Sequence, residues 1–193
     1  MNKNSEQIVI DFLKSIGEDP NRAGLIDTPK RISKMWKEVF SGYDENNRPK
    51  ITLFDNGADG VEYKQMVIDT GYFFSHCEHH GVPFFGTYYF AYIPGKKVMG
   101  LSKVSRVVDY HSSKLQIQER LVKDIVDHIE NDINPKGIAL VINARHLCKE
   151  MRGVKKINSS MTTSELRGAF YDDSRTRQEF LGFVNSRLTT NPA

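Results

Sequence analysis

Cys77-Glu78-His79-His80 sets a thiol, a carboxylate and two imidazoles in four consecutive positions, and His146 with Cys148 adds a second imidazole–thiol pair far downstream. Thiolate and imidazole together favour zinc over the hard cations, which prefer oxygen. Cys77 and His80 can reach one ion across a tight turn, with Cys148 supplying a third ligand from the end of a neighbouring strand. Three protein ligands leave one position for water, the arrangement of a catalytic site. The same residues also permit a closed structural site, with His79 or His146 as fourth ligand. A surplus of side chains favours the open site. Glu78, His79 and His146 crowd the same place, and histidines, with an unperturbed pKa of about 6.5, suit proton transfer there.

Two further groupings suggest an anionic and a purine-like ligand. Gly100-Leu101-Ser102-Lys103-Val104-Ser105-Arg106 reads as a helix N-terminus carrying hydroxyls and two cations, a cradle for phosphate oxygens. Arg152 places a cation just after Cys148, and Arg31 with Lys34 could add charge from an N-terminal helix. All of these also read as ordinary solvated charge. In Gln116-Ile117-Gln118-Glu119-Arg120, a carboxylate such as Glu119 can accept two hydrogen bonds from the N–H edge of guanine, which adenine cannot offer. The segment reads equally as a plain helix start with a surface glutamate.

The elements that must position these groups follow from periodicity. Val9, Phe12, Leu13 and Ile16 recur at helical spacing, and Thr28-Pro29 opens a second helix with Ile32, Met35, Trp36 and Val39 on its stripe. A polar, turn-rich stretch from Ser41 to Pro49 marks a boundary, dividing the chain into a helical appendage, 1–48, and a main domain, 49–193. Beyond it, strands are expected over Met66 to Ser75 and Thr87 to Ile93. Helices are expected from Ser102 and from about Leu115, then strands over Ile138 to Ile142 and Ser159 to Phe170, and a last helix containing Phe180 and Phe183. That order predicts an α+β layer with helices on one side of an antiparallel sheet. His76 is expected to be structural, and His111 and His128 to lie on helix surfaces.

Composition bounds the classes. The 193 residues are 39% hydrophobic and 26% charged, an ordinary globular balance. A net charge of +3 is too small to imply nucleic-acid binding by itself. Neither a cleavable signal pattern nor a bilayer-length apolar run is present, so a soluble cytoplasmic protein without membrane association is expected. In that compartment the two cysteines are expected to bind metal or act in catalysis rather than to form a disulfide.

Taken together, Ser75-x-Cys77-Glu78-His79-His80-x-x-Pro83-Phe84-x-Gly86, Ala91-Tyr92-Ile93-Pro94, Gly100-Leu101-Ser102-Lys103, Gln116-x-Gln118-Glu119-Arg120-Leu121, His146-x-Cys148 and Met151-Arg152-Gly153 resemble the GTP cyclohydrolase I family. The resemblance runs from Gly17-Glu18-Asp19-Pro20 to Thr176-Arg177-x-Glu179-Phe180-Leu181. It implies hydrolysis of GTP to 7,8-dihydroneopterin triphosphate and formate, the first step of pterin biosynthesis. It also implies a zinc ion on Cys77, His80 and Cys148, with His79 and His146 in proton transfer. Gln118 and Glu119 would hold the guanine, while Ser102, Lys103, Arg106, Arg152 and Lys34 would contact the triphosphate. The implied fold is the tunnelling fold: a four-stranded antiparallel sheet with two helices on one side, preceded by N-terminal helices. Such chains assemble as a homodecamer of two stacked pentamers, with active sites between subunits. Gly81, after the second histidine, departs from the usual pattern.

Two other readings compete. A nitrile reductase of the same fold would need a nucleophilic cysteine and no zinc site, which the Cys77–His80 and His146–Cys148 motifs oppose. A zinc-stabilised nucleotide-binding module, using Lys149, Arg152, Lys155 and Lys156, would bind without turnover and with strong salt dependence.

Overall fold

The computed structural model describes residues 4–190, with side chains described through Arg187. Two helices, α1 (Ser5–Ser15) and α2 (Thr28–Val39), form an antiparallel hairpin. Val9, Leu13, Pro29 and Ser33 are buried, and Ser5 and Ser33 share a 2.5 Å hydroxyl contact. The expected apolar stripes are only half used, since Phe12, Ile16 and Met35 stay exposed. The hairpin joins the rest through a 3-10 turn, Ser41–Tyr43, where the Gly42 N–H donates to Ser113 O at 3.0 Å. A side chain at Gly42 would overlap the backbone oxygens of Tyr110 and Ser113.

The main sheet is built from β2 (Val67–Cys77), β3 (Pro83–Ile93), β6 (Gly137–His146) and β7 (Ser160–Gly168), paired antiparallel in that order. A small separate ladder pairs β1 (Leu53–Asp55) with β4 (Lys97–Met99). The four-stranded expectation misses a fifth strand: β5 (Leu115–Gln116) runs parallel to the end of β2, pairing Leu115 with His76 and Gln116 with Cys77. Two extended residues carry too short a pattern to stand out from the helix that follows, α4 (Gln118–Ile133). That helix ends where Asn134 takes a left-handed φ of 45°, a conformation asparagine tolerates, just before Pro135.

Strand alternation sends Phe73, Ser75 and Cys77, with Phe84, Tyr88, Phe90 and Tyr92, to one face, where Ile138, Leu140 and Ile142 join them. Onto that face pack α3 (Ser102–Ser112), through Val104, Val107 and Val108, and α4, through Leu121, Ile125 and Ile129. The expectation of helices on one side holds for α3 and α4, but the C-terminal helices lie on the other. Tyr89, Ala91, Ala139 and Val141 point the other way and meet Phe170 of α6 (Ala169–Asp172) and Phe180 and Val184 of α7 (Ser174–Thr190). The second face is therefore covered at one end, while towards Cys77 it exposes Tyr72 and Phe74. Among the described residues, no helix is long and apolar enough to cross a membrane.

His111 and His128 are not surface groups. They meet between α3 and α4, with Nε2 of His111 3.0 Å from Nδ1 of His128, and His128 is 3% exposed.

Candidate metal centre and active site

Cys77 is the last residue of β2, and the chain reverses immediately after it. The Cys77 N–H donates to Val82 O at 2.9 Å, and Gly81 N–H returns to Cys77 O at 2.8 Å. Gly81 sits at φ +67°, so the departure noted in the sequence is the residue that lets the turn close. The turn brings Nδ1 of His80 to 3.7 Å and Nδ1 of His79 to 3.8 Å from the Cys77 sulfur.

Cys148 arrives from the other side of β3. β6 ends at His146, and Cys148 lies in the short helix α5 (Leu147–Glu150) rather than on the strand. One ligand atom each from Cys77, His80 and Cys148 lies within 4.8 Å of the others. Tetrahedral zinc with ordinary Zn–S and Zn–N bonds separates sulfur from nitrogen by about 3.6 Å, close to the 3.7 Å between Cys77 and His80. Two thiols and an imidazole, with no carboxylate among them, fit a zinc-like ion and not calcium or magnesium. His79 falls outside the set of three. Burial pushes the Cys148 thiol up, and Cys77 adds to the effect, while Arg152 opposes it. Metal binding releases such protons.

Glu78 does not crowd the three ligands. Its carboxylate pairs with Arg120, whose Nε donates to Gln116 Oε1 at 2.8 Å and whose Nη2 donates to Leu115 O at 3.0 Å. Glu78 N–H also donates to Gln116 O at 3.1 Å. β5 and Arg120 thus clamp the Cys77–His80 turn onto the start of α4. Sequence reasoning missed Arg120 and Gln116 in this role; their i,i+4 spacing was the available signal.

His146 stacks on Phe84 with ring centroids 4.7 Å apart and planes 4° from parallel. Its Nε2 is 2.8 Å from Oε1 of Gln118, the first residue of α4. Burial lowers the His146 pKa, with the Glu119 charge opposing and Lys149 reinforcing the shift. Glu119 is exposed beside this group. Gln118 is 1% exposed, and its amide nitrogen donates inward to Ile142 O, Met161 O and Thr163 Oγ1. The polar atoms of the Gln118 side chain, expected near the guanine, are thus engaged within the chain.

The segment read from the sequence as a phosphate cradle stands elsewhere. Tyr88, which pairs with Gly71 across the sheet, meets Ser105 Oγ at 3.0 Å and donates to Asp69 at 3.0 Å. Burial pushes this phenol up to about 12. Gly71 precedes Cys77 by six residues, so Ser102, Lys103 and Arg106, which flank Ser105 on α3, lie roughly 20 Å from the thiols along β2. Lys34 is exposed on α2, in the N-terminal hairpin. One chain therefore joins Cys77, His79, His80, His146, Cys148, Glu119 and Arg152, while Ser102, Lys103 and Arg106 stand apart from the thiols.

A family model described as GTP cyclohydrolase I matches residues 5–185. The chain is 49% identical over 182 residues to the GTP cyclohydrolase 1 of Sulfurihydrogenibium sp. (strain YO3AOP1), covering 94% of each. It is 44% identical over 191 residues to that of Campylobacter curvus (strain 525.92), covering 99% of this chain and 100% of the relative. With the GTP cyclohydrolase 1 of Deinococcus radiodurans it shares 44% identity over 186 residues, 96% of this chain and 85% of the relative.

Proposed function

The chain belongs to the GTP cyclohydrolase I family and is an enzyme of that class, and from this premise we propose that Cys77, His80 and Cys148 hold a zinc ion where GTP is hydrolysed to 7,8-dihydroneopterin triphosphate and formate. The observation that carries the proposal is the clustering of those three donors, brought together from β2, the following turn and α5. Zinc, when bound, supplies Lewis-acid activation of water for attack at C8 of the purine. His79 and His146 move the protons, the first beside the Cys77 sulfur and the second stacked on Phe84. A proton delivered to N7 helps the imidazole ring open. Glu119, exposed next to His146, accepts the guanine N1–H and N2–H₂.

Ser102, Lys103 and Arg106, with Arg152 and Lys34, hold the triphosphate and keep the base positioned through the successive steps. The distance of Ser102, Lys103 and Arg106 from the thiols in one chain supports a site completed by another subunit, in a tunnelling-fold decamer of two stacked pentamers. On this reading residues 1–48 form the appendage and 49–193 the catalytic unit. The protein works in the cytoplasm, at the first step of pterin biosynthesis.

The test compares wild type with Cys148→Ala at matched assembly, following formate release and the fluorescence of oxidised pterin after incubation with GTP. Both products from wild type and neither from the variant are expected. A metal-loaded, assembled wild type that binds GTP and releases neither would overturn the proposal and favour a binding module.

A further inference from the structure

We infer that Gln118 is a positioning residue that fixes the ring of His146 in one orientation and one tautomer, with the proton on Nε2 and the lone pair on Nδ1. The inference rests on the proton-transfer role given to His146 above. Its physical basis is the orientation of one buried amide.

Gln118 Nε2 lies 3.1 Å from Ile142 O, 3.0 Å from Met161 O and 3.0 Å from Thr163 Oγ1. The two carbonyls can only accept hydrogen bonds, so the group facing them must be the NH₂. Turning the amide over would set its oxygen against both carbonyl oxygens in a site that is 1% exposed, acceptor against acceptor, and remove the donor that each now faces. The orientation is therefore decided by β6 and β7 and not by the histidine. The oxygen, Oε1, is left facing His146 Nε2 at 2.8 Å. An amide oxygen has no proton to give, so the imidazole nitrogen must carry it. In the neutral ring the lone pair then resides on Nδ1.

Phe84 completes the arrangement. Its ring lies parallel to the imidazole at 4.7 Å, so His146 cannot swing out of the plane that points Nε2 at the amide without losing that contact. Ring plane and tautomer are thus set by two residues, neither of which meets the substrate through its side-chain polar atoms. It follows that recognition of the guanine edge falls to Glu119 without help from the Gln118 side chain.

The experiment uses Gln118→Met, which keeps length and apolar bulk but offers neither an acceptor to His146 nor donors to the sheet, and Gln118→Glu, which restores an acceptor alone. Steady-state kinetics with GTP, metal content and assembly are measured for both beside wild type. Gln118→Met is expected to lower kcat by about 100-fold, the size of a misdirected acid–base group, with KM for GTP changed less than about threefold and metal content unaltered. Gln118→Glu is expected to recover part of kcat. Nitrogen-15 histidine spectra, with His146 assigned through His146→Gln, are expected to show the proton on Nε2 in wild type and a mixture of tautomers in Gln118→Met. A raised KM with kcat intact would restore the guanine-contact role, and a wild-type spectrum with the proton on Nδ1 would overturn the inference outright. If Gln118→Met does not assemble, the wild-type spectrum alone decides. Absence of turnover in wild type would sink the function proposed above and leave the tautomer to be read from that spectrum.

Discussion

Acidification should destabilise this fold through the His111–His128 pair. The two imidazoles share one hydrogen bond, 3.0 Å long, between α3 and α4, and the other nitrogen of each, Nδ1 of His111 and Nε2 of His128, is buried without a partner. Burial holds His111 down to about 3, with the neighbouring His128, Lys114 and Arg48 adding to the effect and Asp127 opposing it. His128 is lowered too, first by burial and then by Arg48, against the pull of Asp132 at 3.9 Å. The sign follows from which state takes the proton. Above about pH 6.5 neither state is protonated, and the pair costs nothing; below it the unfolded chain binds protons that the folded chain refuses. Stability is therefore lost as pH falls from about 6.5 towards about 3, at roughly 1.4 kcal/mol per pH unit for each such proton. At pH 5 His111 alone would cost about 2 kcal/mol, and the lowered His128 adds to that loss. The measurement is urea denaturation followed by circular dichroism at pH 7.5 and pH 5, for wild type and for the double variant His111→Asn, His128→Asn. The variant starts less stable but should lose at least about 2 kcal/mol less than wild type between the two pH values. Protons refused by His76 and His146, and those taken up by carboxylates elsewhere, are common to both proteins and cancel. An equal loss in both would refute the assignment of the acid sensitivity to this pair.

Truncating Phe180→Ala removes a fully buried ring that meets Phe170 at 5.6 Å, and should cost about 3–5 kcal/mol in thermal or urea unfolding because α7 loses its anchor on the second face of the sheet. Gly81→Ala places a side chain where φ is +67°; with nothing near enough to clash, the cost should be the backbone strain alone, about 1–2 kcal/mol. The same variant should retain less metal after dialysis against a weak chelator, measured by elemental analysis. Glu119→Gln, which replaces one acceptor oxygen by a donor facing the guanine N–H edge, should raise KM for GTP by about 10-fold or more while metal content stays at the wild-type level.

The amino-acid sequence by itself determined the metal-capable residues, because thiol and imidazole are rare side chains whose chemistry does not depend on what surrounds them. It determined the long strands and helices as well, since the unbroken aromatic and apolar runs of β3 and β6, and apolar residues at every third and fourth position in α4, are local patterns. The helix packed on the second face was not legible, because Phe180 shows only that α7 has an apolar side and not which face of the sheet receives it. β5 was hidden because its two residues take their extended form from pairing with His76 and Cys77, 39 residues earlier in the chain. Tertiary structure alone decided what the polar side chains face. Glu78 turns from the metal ligands to Arg120, Gln118 turns inward to the carbonyls of β6 and β7, and His111 and His128 are enclosed together. A polar side chain satisfies its hydrogen bonds with whichever partner the fold brings within about 3 Å, and sequence spacing carries no record of that partner when it comes from another element.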